Sequence, residues 1–174
     1  LALLNIGVRP DSILVLVADR AQRDIYEQAL AACALPISGG VTIATFYGLC
    51  QRTVALFWPL AASAAGFSHP EQEPTFLTVE STQFFMSEVT EPLVRESGYF
   101  SDITIRRERL LSQLIDNLNK SALAGFPPDE IAARLISGWA GSERRYKTYQ
   151  QAQDCALRFR AHCLQHNLLD LSLT

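Results

Sequence analysis

The segment VTIATFYGLCQR, at residues 41–52, decides the predicted fold of this chain. Its first residues favour a β-strand, and apolar residues then recur every three or four positions, which is typical of an amphipathic helix. We therefore predict a buried strand that passes directly into a helix, with the hydroxyl of Thr45 and the phenol of Tyr47 at the junction. Such junctions suit phosphate groups, because unpaired N–H groups and the positive dipole end point outwards from a helix start. The predicted apolar stripe consists of Phe46, Leu49, Cys50, Thr53 and Phe57.

The remainder of residues 1–60 alternates between helices and strands. Residues 1–7 predict the end of a helix that Gly7 caps, and the continuous apolar run SILVLV at 12–17 predicts a strand buried on both faces, as in a parallel sheet. A helix over about 20–33 follows, and the helix after the second strand should stop near Pro59. This order of elements is typical of an α/β sheet.

The second half of the chain has a different character. We predict a connecting loop at 61–78, a helical subdomain at 79–166, and a return towards the α/β part at 167–174. The fold class is therefore an α/β, parallel-sheet fragment followed by a mainly helical insertion. The predicted helices begin at Thr78, Thr104, Pro127 and Ser142, and they end near Pro92, Gly125, Gly138 and His166.

Composition excludes several classes of protein. The 174 residues are 48% hydrophobic and 19% charged, which indicates a globular chain. No apolar run approaches the roughly 20 residues that span a bilayer, and the beginning lacks a secretory signal pattern, so we expect no membrane partner and a cytoplasmic location. The four cysteines form no CxxC pair, which fits a reducing compartment. Since the chain starts without Met, we interpret it as an internal fragment.

The sequence lacks the motifs of nucleotide and metal chemistry. It contains no GxxxxGK[ST] segment, and its Asp129-Glu130 pair follows two prolines at a helix start rather than an apolar strand. The HCLQH segment at 162–166 has the histidine spacing of a zinc protease helix, but Cys163 replaces the glutamate that acts as general base. We therefore predict no catalytic residue, no metal site and no cofactor within this chain.

Positive charge is grouped in places, although the net charge of −3 gives no overall signature for nucleic acid. Arg20, Arg106 and Arg107 are candidates for contacts to a phosphate backbone. The alternative for each group is a solvated helix face.

Three stretches resemble the UvrD/Rep family of superfamily 1 DNA helicases, which are ATP-driven motors that move 3′ to 5′ on single-stranded DNA. SILVLVADRAQR at 12–23 is similar to the strand and TFTNKAA-like segment of motif Ia. TFYGLCQR at 45–52 resembles the TFHS-like motif Ib, and NLLDL at 167–171 resembles the NALDF that closes the family's helical insertion. Their order and separation agree with the family over nearly the whole chain.

The resemblance implies a piece of a RecA-like motor domain between the Walker A and Walker B motifs. ATP and magnesium would then be bound by other parts of the parent helicase, and the partners of this piece would be single-stranded DNA and those remaining domains. Within motif Ib, Thr45 matches the family threonine, Tyr47 stands where histidine is usual, and Arg52 matches the trailing arginine. Arg20 matches the motif Ia lysine after a gap of one residue.

Two alternatives remain open. Val17 and Ala18 stand where motif Ia has threonine and phenylalanine, which favours an inactive helicase-like region that serves as a scaffold or interaction module of a DNA-repair or nuclease complex. A stand-alone α/β enzyme would need a pocket with convergent polar groups, and the sequence indicates none.

Overall fold

A computed structural model describes residues 1–33, 40–138 and 145–173 of the chain. Over these residues the protein is of mixed α/β class and mostly helical, with two small parallel sheets. It forms two compact units, Leu1–Leu56 and Phe57–Thr174. The predicted helix cap at Ser142 lies outside the described residues.

The first unit contains a two-stranded parallel sheet and its connecting helix. Its elements are α1 (Ala2–Asn5), β1 (Leu14–Val17), α2 (Arg20–Ala31), β2 (Thr42–Thr45) and α3 (Phe46–Leu56). The strands pair in register from Leu14 opposite Thr42 to Val17 opposite Thr45. The predicted helix, strand, helix, strand and helix of this half are therefore confirmed. Gly7 ends the first helical segment with φ of 85°, a conformation that glycine adopts without steric cost.

Side-chain caps fix the start of α2 directly after β1. Asp19 Oδ1 accepts a hydrogen bond from the backbone N–H of Gln22 at 2.8 Å. In return, Gln22 Oε1 accepts one from the backbone N–H of Ala18 at 3.2 Å. These two bonds satisfy backbone donors that the turn between strand and helix would otherwise leave free.

The prediction that β1 is buried on both faces is wrong. Val17 is buried, but Leu14 and Leu16 expose 47% and 52% of their surface. Alternate residues of a strand point to opposite faces, and no second layer covers the face of these leucines in the described part of the unit.

The predicted apolar stripe of α3 is also only partly buried. Phe46 at its start is 63% exposed, and Phe57, which lies beyond the end of the helix, is 54% exposed. Leu49 and Cys50 are half-buried.

The second unit packs helices around one long central helix. Its elements are α4 (Trp58–Ala65), β3 (Thr75–Phe76), α5 (Val79–Glu96), α6 (Arg107–Leu123), α7 (Ile131–Ser137), α8 (Tyr146–Gln165) and β4 (Leu168–Leu169). Helix α8 contacts α5, α6 and α7. The most deeply buried apolar side chains of this core, each fully inaccessible to solvent, are Met86, Leu118, Cys155, Phe159 and Cys163.

The predicted effects of two prolines on the helices are wrong. Pro59 lies in the first turn of α4, so residues 61–65 of the expected connecting loop are helical. The first turn tolerates proline because the N–H that proline lacks has no partner there. Pro92 lies inside α5, which continues to Glu96 instead of ending. Packing of α5 against α6 and α8 offsets the backbone hydrogen bond that proline removes.

Strands β3 and β4 close the second unit. Thr75 lies opposite Leu168 and Phe76 opposite Leu169 in a parallel pair. The backbone N–H of Leu77 donates to the carbonyl of Leu169 at 2.8 Å. A strand that precedes the long helices therefore pairs with the strand that follows them.

Candidate nucleic-acid interface

The parallel register of the first unit brings two predicted segments to one edge of the sheet. Val17 and Thr45 are partners at the ends of β1 and β2. Residues 18–20, which follow Val17, and residues 45–48, which begin at Thr45, therefore share what we call the carboxyl edge. Helices α2 and α3 both begin there. In α/β sheets, ligands bind outside the carboxyl ends of parallel strands, where helix starts present free N–H groups.

Thr45 holds the start of α3 in place. Its Oγ1 accepts a hydrogen bond from the backbone N–H of Gly48 at 3.1 Å. A Cβ atom at position 48 would lie 3.1 Å from the same oxygen, so a glycine permits this close approach. A threonine hydroxyl that accepts one bond still has a proton to donate. Thr45 can therefore cap the helix and donate to an anionic oxygen at the same time.

Two aromatic residues follow Thr45 at the start of α3. Tyr47 is half-buried and carries a phenol that can donate a hydrogen bond. Phe46, which the sequence assigned to the apolar stripe, exposes 63% of its surface beside it. No sequence signal distinguishes such an exposed phenylalanine from a core residue, because the helical spacing of apolar residues is the same in both cases.

The two candidate arginines of this unit occupy different places. Arg20 is exposed in the first turn of α2, at the carboxyl edge, next to the capping carboxylate of Asp19. Arg52 is exposed on α3, five residues after Tyr47. Helix geometry puts it about 7.5 Å further along the axis and about 140° around it. The structure therefore brings Arg20, Thr45 and Tyr47 to one edge and leaves Arg52 more than one turn away.

Arg106 and Arg107 belong to the second unit. Arg106 is exposed immediately before α6. Arg107 forms an ion pair with Glu91 of α5 and donates to Ser87 Oγ at 2.7 Å. These contacts tie α6 to α5 and neutralise much of the charge that a phosphate would need. Of the two, Arg106 is the one whose guanidinium has no such contact in the described parts of the chain.

The NLLDL segment closes the second unit from within. Asn167 has φ of 51° and is buried, and its Nδ2 donates to the carbonyl of His69 at 2.6 Å and to that of Gln72 at 3.3 Å. Asp170 is 1% exposed and accepts from Ser172 Oγ at 2.8 Å. Burial raises the pKa of the Asp170 carboxyl. The polar residues of this segment therefore have structural roles.

A cleft of about 330 Å³ lies between α5 and α6. Its lining is mainly apolar and includes Phe100 and Ile103. Glu91 in this cleft already pairs with both Arg95 and Arg107. The lining does not provide the free convergent polar groups that the interpretation as a stand-alone enzyme would require.

Two histidine side chains lie close together at the end of α8. The ring centroids of His162 and His166 are 4.5 Å apart, and the ring of Phe85 lies 5.5 Å from that of His162. Among the described residues, no group of three or more histidine, cysteine, aspartate or glutamate side chains is arranged to hold a metal ion.

No helix in the described parts of the chain is both long enough and apolar enough to cross a membrane. Comparisons of the chain with protein-family models, with curated proteins and with solved structures found no match.

Proposed function

We propose that this chain is part of a UvrD/Rep-like DNA helicase and that it holds single-stranded DNA at the carboxyl edge of its first sheet. Other parts of the parent protein would bind ATP and magnesium. The proposal rests on the resemblance of three segments, and one structural relationship supports it most directly.

That relationship is the parallel pairing of Val17 with Thr45. The motif Ia-like and motif Ib-like segments are separated by a whole helix in the sequence, yet the residues that follow both strands lie at one edge. A single DNA backbone that runs along this edge could meet both segments.

The chemistry of the carboxyl edge fits a phosphate backbone. Arg20 supplies a positive charge, Thr45 a hydroxyl donor and Tyr47 a phenol, and the positive dipole ends of α2 and α3 lie at the same edge. None of these groups selects a particular base. We therefore infer binding that depends on charge and strand flexibility rather than on sequence.

The remaining candidates have smaller roles in this proposal. Arg52 can reach a phosphate next to the edge only through its long side chain, and Arg106 lies in the other unit. Arg107 serves mainly to join α6 to α5, because Glu91 and Ser87 occupy its guanidinium.

The pairing of β3 with β4 agrees with the order of motifs in the family. The NLLDL segment forms β4 and ends the helical subdomain beside the strand at which that subdomain begins. A helical insertion that leaves and re-enters a larger domain needs such a closure, because its two ends must lie together.

An inactive helicase-like scaffold is the second candidate. The observation that favours it is the capping role of Thr45 and Asp19, since both side chains already satisfy helix starts without any DNA. An intact GxxxxGK[ST] segment in the parent gene, upstream of Leu1, would favour the motor, and a degraded one would favour the scaffold.

Fluorescence anisotropy with a labelled single-stranded oligonucleotide tests the proposal. At low salt the chain should bind the single strand more tightly than the matched duplex. The logarithm of the binding constant should fall with the logarithm of salt concentration with a slope of about −1.4 if Arg20 and Arg52 each neutralise one phosphate. Absence of binding at low salt, or binding that salt does not weaken, would refute it.

A further inference from the structure

We propose that the carboxyl end of α8 carries a site for a divalent transition-metal ion, held by the imidazoles of His162 and His166. The two residues are one helical turn apart, so their side chains lie on the same face. Their ring centroids are 4.5 Å apart and the rings are inclined by 46°. One metal ion can therefore meet a nitrogen of each ring once the side chains rotate. This site lies in the second unit and uses none of the residues of the proposed DNA contacts.

The imidazole rings make no competing hydrogen bonds in the described parts of the chain. A neutral ring carries the lone pair that a metal ion needs. Metal binding would therefore not have to break an existing bond.

The surroundings of the pair favour a cation. His162 and His166 lie in the last turn of α8 and at its carboxyl-terminal cap, where the helix dipole is negative. The carboxylate of Glu88 on α5 acts electrostatically on His162 in the same direction. A metal ion shared by the two rings would lie close to these negative groups.

The donor set determines the class of metal. Two imidazole nitrogens suit Cu²⁺, Ni²⁺ and Zn²⁺ and are poor ligands for Mg²⁺ or Ca²⁺. Because no third protein ligand joins the pair among the described residues, water would complete the coordination. Such an open site should be weak compared with a structural zinc site of four protein ligands. The site should bind Cu²⁺ more tightly than either Ni²⁺ or Zn²⁺.

Isothermal titration of the untagged chain with NiCl₂ at pH 7.5 tests the proposal. We expect one saturable site, no saturable binding of MgCl₂, and at least a tenfold loss of Ni²⁺ affinity in His166→Gln. His69→Gln is the matched control, because His69 is the third histidine of the chain and lies outside this pair. Binding should also weaken strongly at pH 5.5, where protons compete for the rings.

Unfolding measurements and a second variant distinguish the loss of a metal ligand from a loss of folding. His166 is exposed, so His166→Gln should unfold at the same urea concentration as the parent chain. His162→Gln should lose Ni²⁺ binding to a similar extent, although it also changes the contact with Phe85. Unchanged Ni²⁺ affinity in a folded His166→Gln, or an equal loss in His69→Gln, would overturn the proposal.

Discussion

Gly48 donates its backbone N–H to Thr45 Oγ1 at 3.1 Å, and a Cβ atom on Gly48 would lie 3.1 Å from the same oxygen. The hydrogen bond by which Thr45 caps the helix therefore requires glycine at position 48. Thr45→Ala should lower the free energy of unfolding by about 1 kcal/mol, the usual value of such a cap. In the parent chain, Gly48→Ala should raise the free energy of unfolding very little, because the new methyl group displaces the capping hydroxyl.

The double variant tests this dependence. Once Thr45 is alanine, Gly48→Ala should stabilise the chain by about 1 kcal/mol, the difference between alanine and glycine in a helix. Urea unfolding followed by circular dichroism measures all four members of the cycle. Additive effects of the two substitutions would contradict the dependence.

Asn167 has left-handed backbone geometry and donates to two carbonyls, so its replacement should be costly. Asn167→Ala loses the bonds to His69 and Gln72 and places a Cβ residue at φ of 51°. Asn167→Gly loses the same bonds but adopts this φ freely. The alanine variant should therefore be less stable than the glycine variant by about 1 kcal/mol. Equal unfolding midpoints would show that the backbone geometry costs nothing.

His162 should titrate below the usual range of histidine. Burial and the charge of His166 lower its pKa, and Glu88 opposes them. His166→Gln should therefore raise the pKa of His162, and Glu88→Gln should lower it further. NMR titration of the histidine ring protons measures both shifts, and shifts of the opposite sign would contradict the assignment of causes.

The lowered pKa has a consequence for stability. As pH falls from about 7, the unfolded chain takes up this proton before the folded chain does. His162 therefore lowers the free energy of unfolding progressively until the pH has passed its folded pKa. In His162→Gln the stability should depend less steeply on pH between about 7 and 5.

The cysteines should differ in reactivity according to their burial. Cys155 and Cys163 are fully buried, and burial raises the pKa of Cys155 to about 11. Burial also raises the pKa of the Cys163 thiol. Cys33 and Cys50 are half-buried. A thiol reagent should modify these two first and the other two only after unfolding, as mass spectrometry of the labelled peptides would show. Early labelling of Cys155 would mean that the helical core opens locally.

Periodicity predicted the strands and helices of the first unit and the long helices of the second, because each has its own apolar spacing. The helices that begin after Asp19 and Thr78 start where short polar side chains accept a backbone hydrogen bond, as the sequence suggested for Thr78. The prolines were harder to interpret. Pro59 starts a helix and Pro92 lies within one, and the difference depends on packing that a local pattern does not contain.

Burial and the candidate site depended even more on tertiary structure. Leu14 and Leu16 form part of a continuous apolar run, yet they are about half exposed, because burial requires a second layer. Arg107 could not be distinguished from Arg106 by sequence, since the partner that neutralises it lies 16 residues earlier, on another helix. The proximity of the segments after Val17 and Thr45 follows from strand pairing, which the α/β pattern indicated only in general terms.

A comparison of Arg20→Gln with Arg9→Gln tests whether DNA contacts the carboxyl edge. Both arginines are exposed in the first unit, but Arg20 follows β1 whereas Arg9 precedes it, with the four-residue strand between them. The measurement is the salt dependence of single-stranded DNA binding by each variant. We predict that Arg20→Gln reduces the steepness of the slope by about 0.7 and that Arg9→Gln leaves it unchanged. Equal slopes in both variants, or a larger effect of Arg9→Gln, would mean that DNA does not bind at the carboxyl edge.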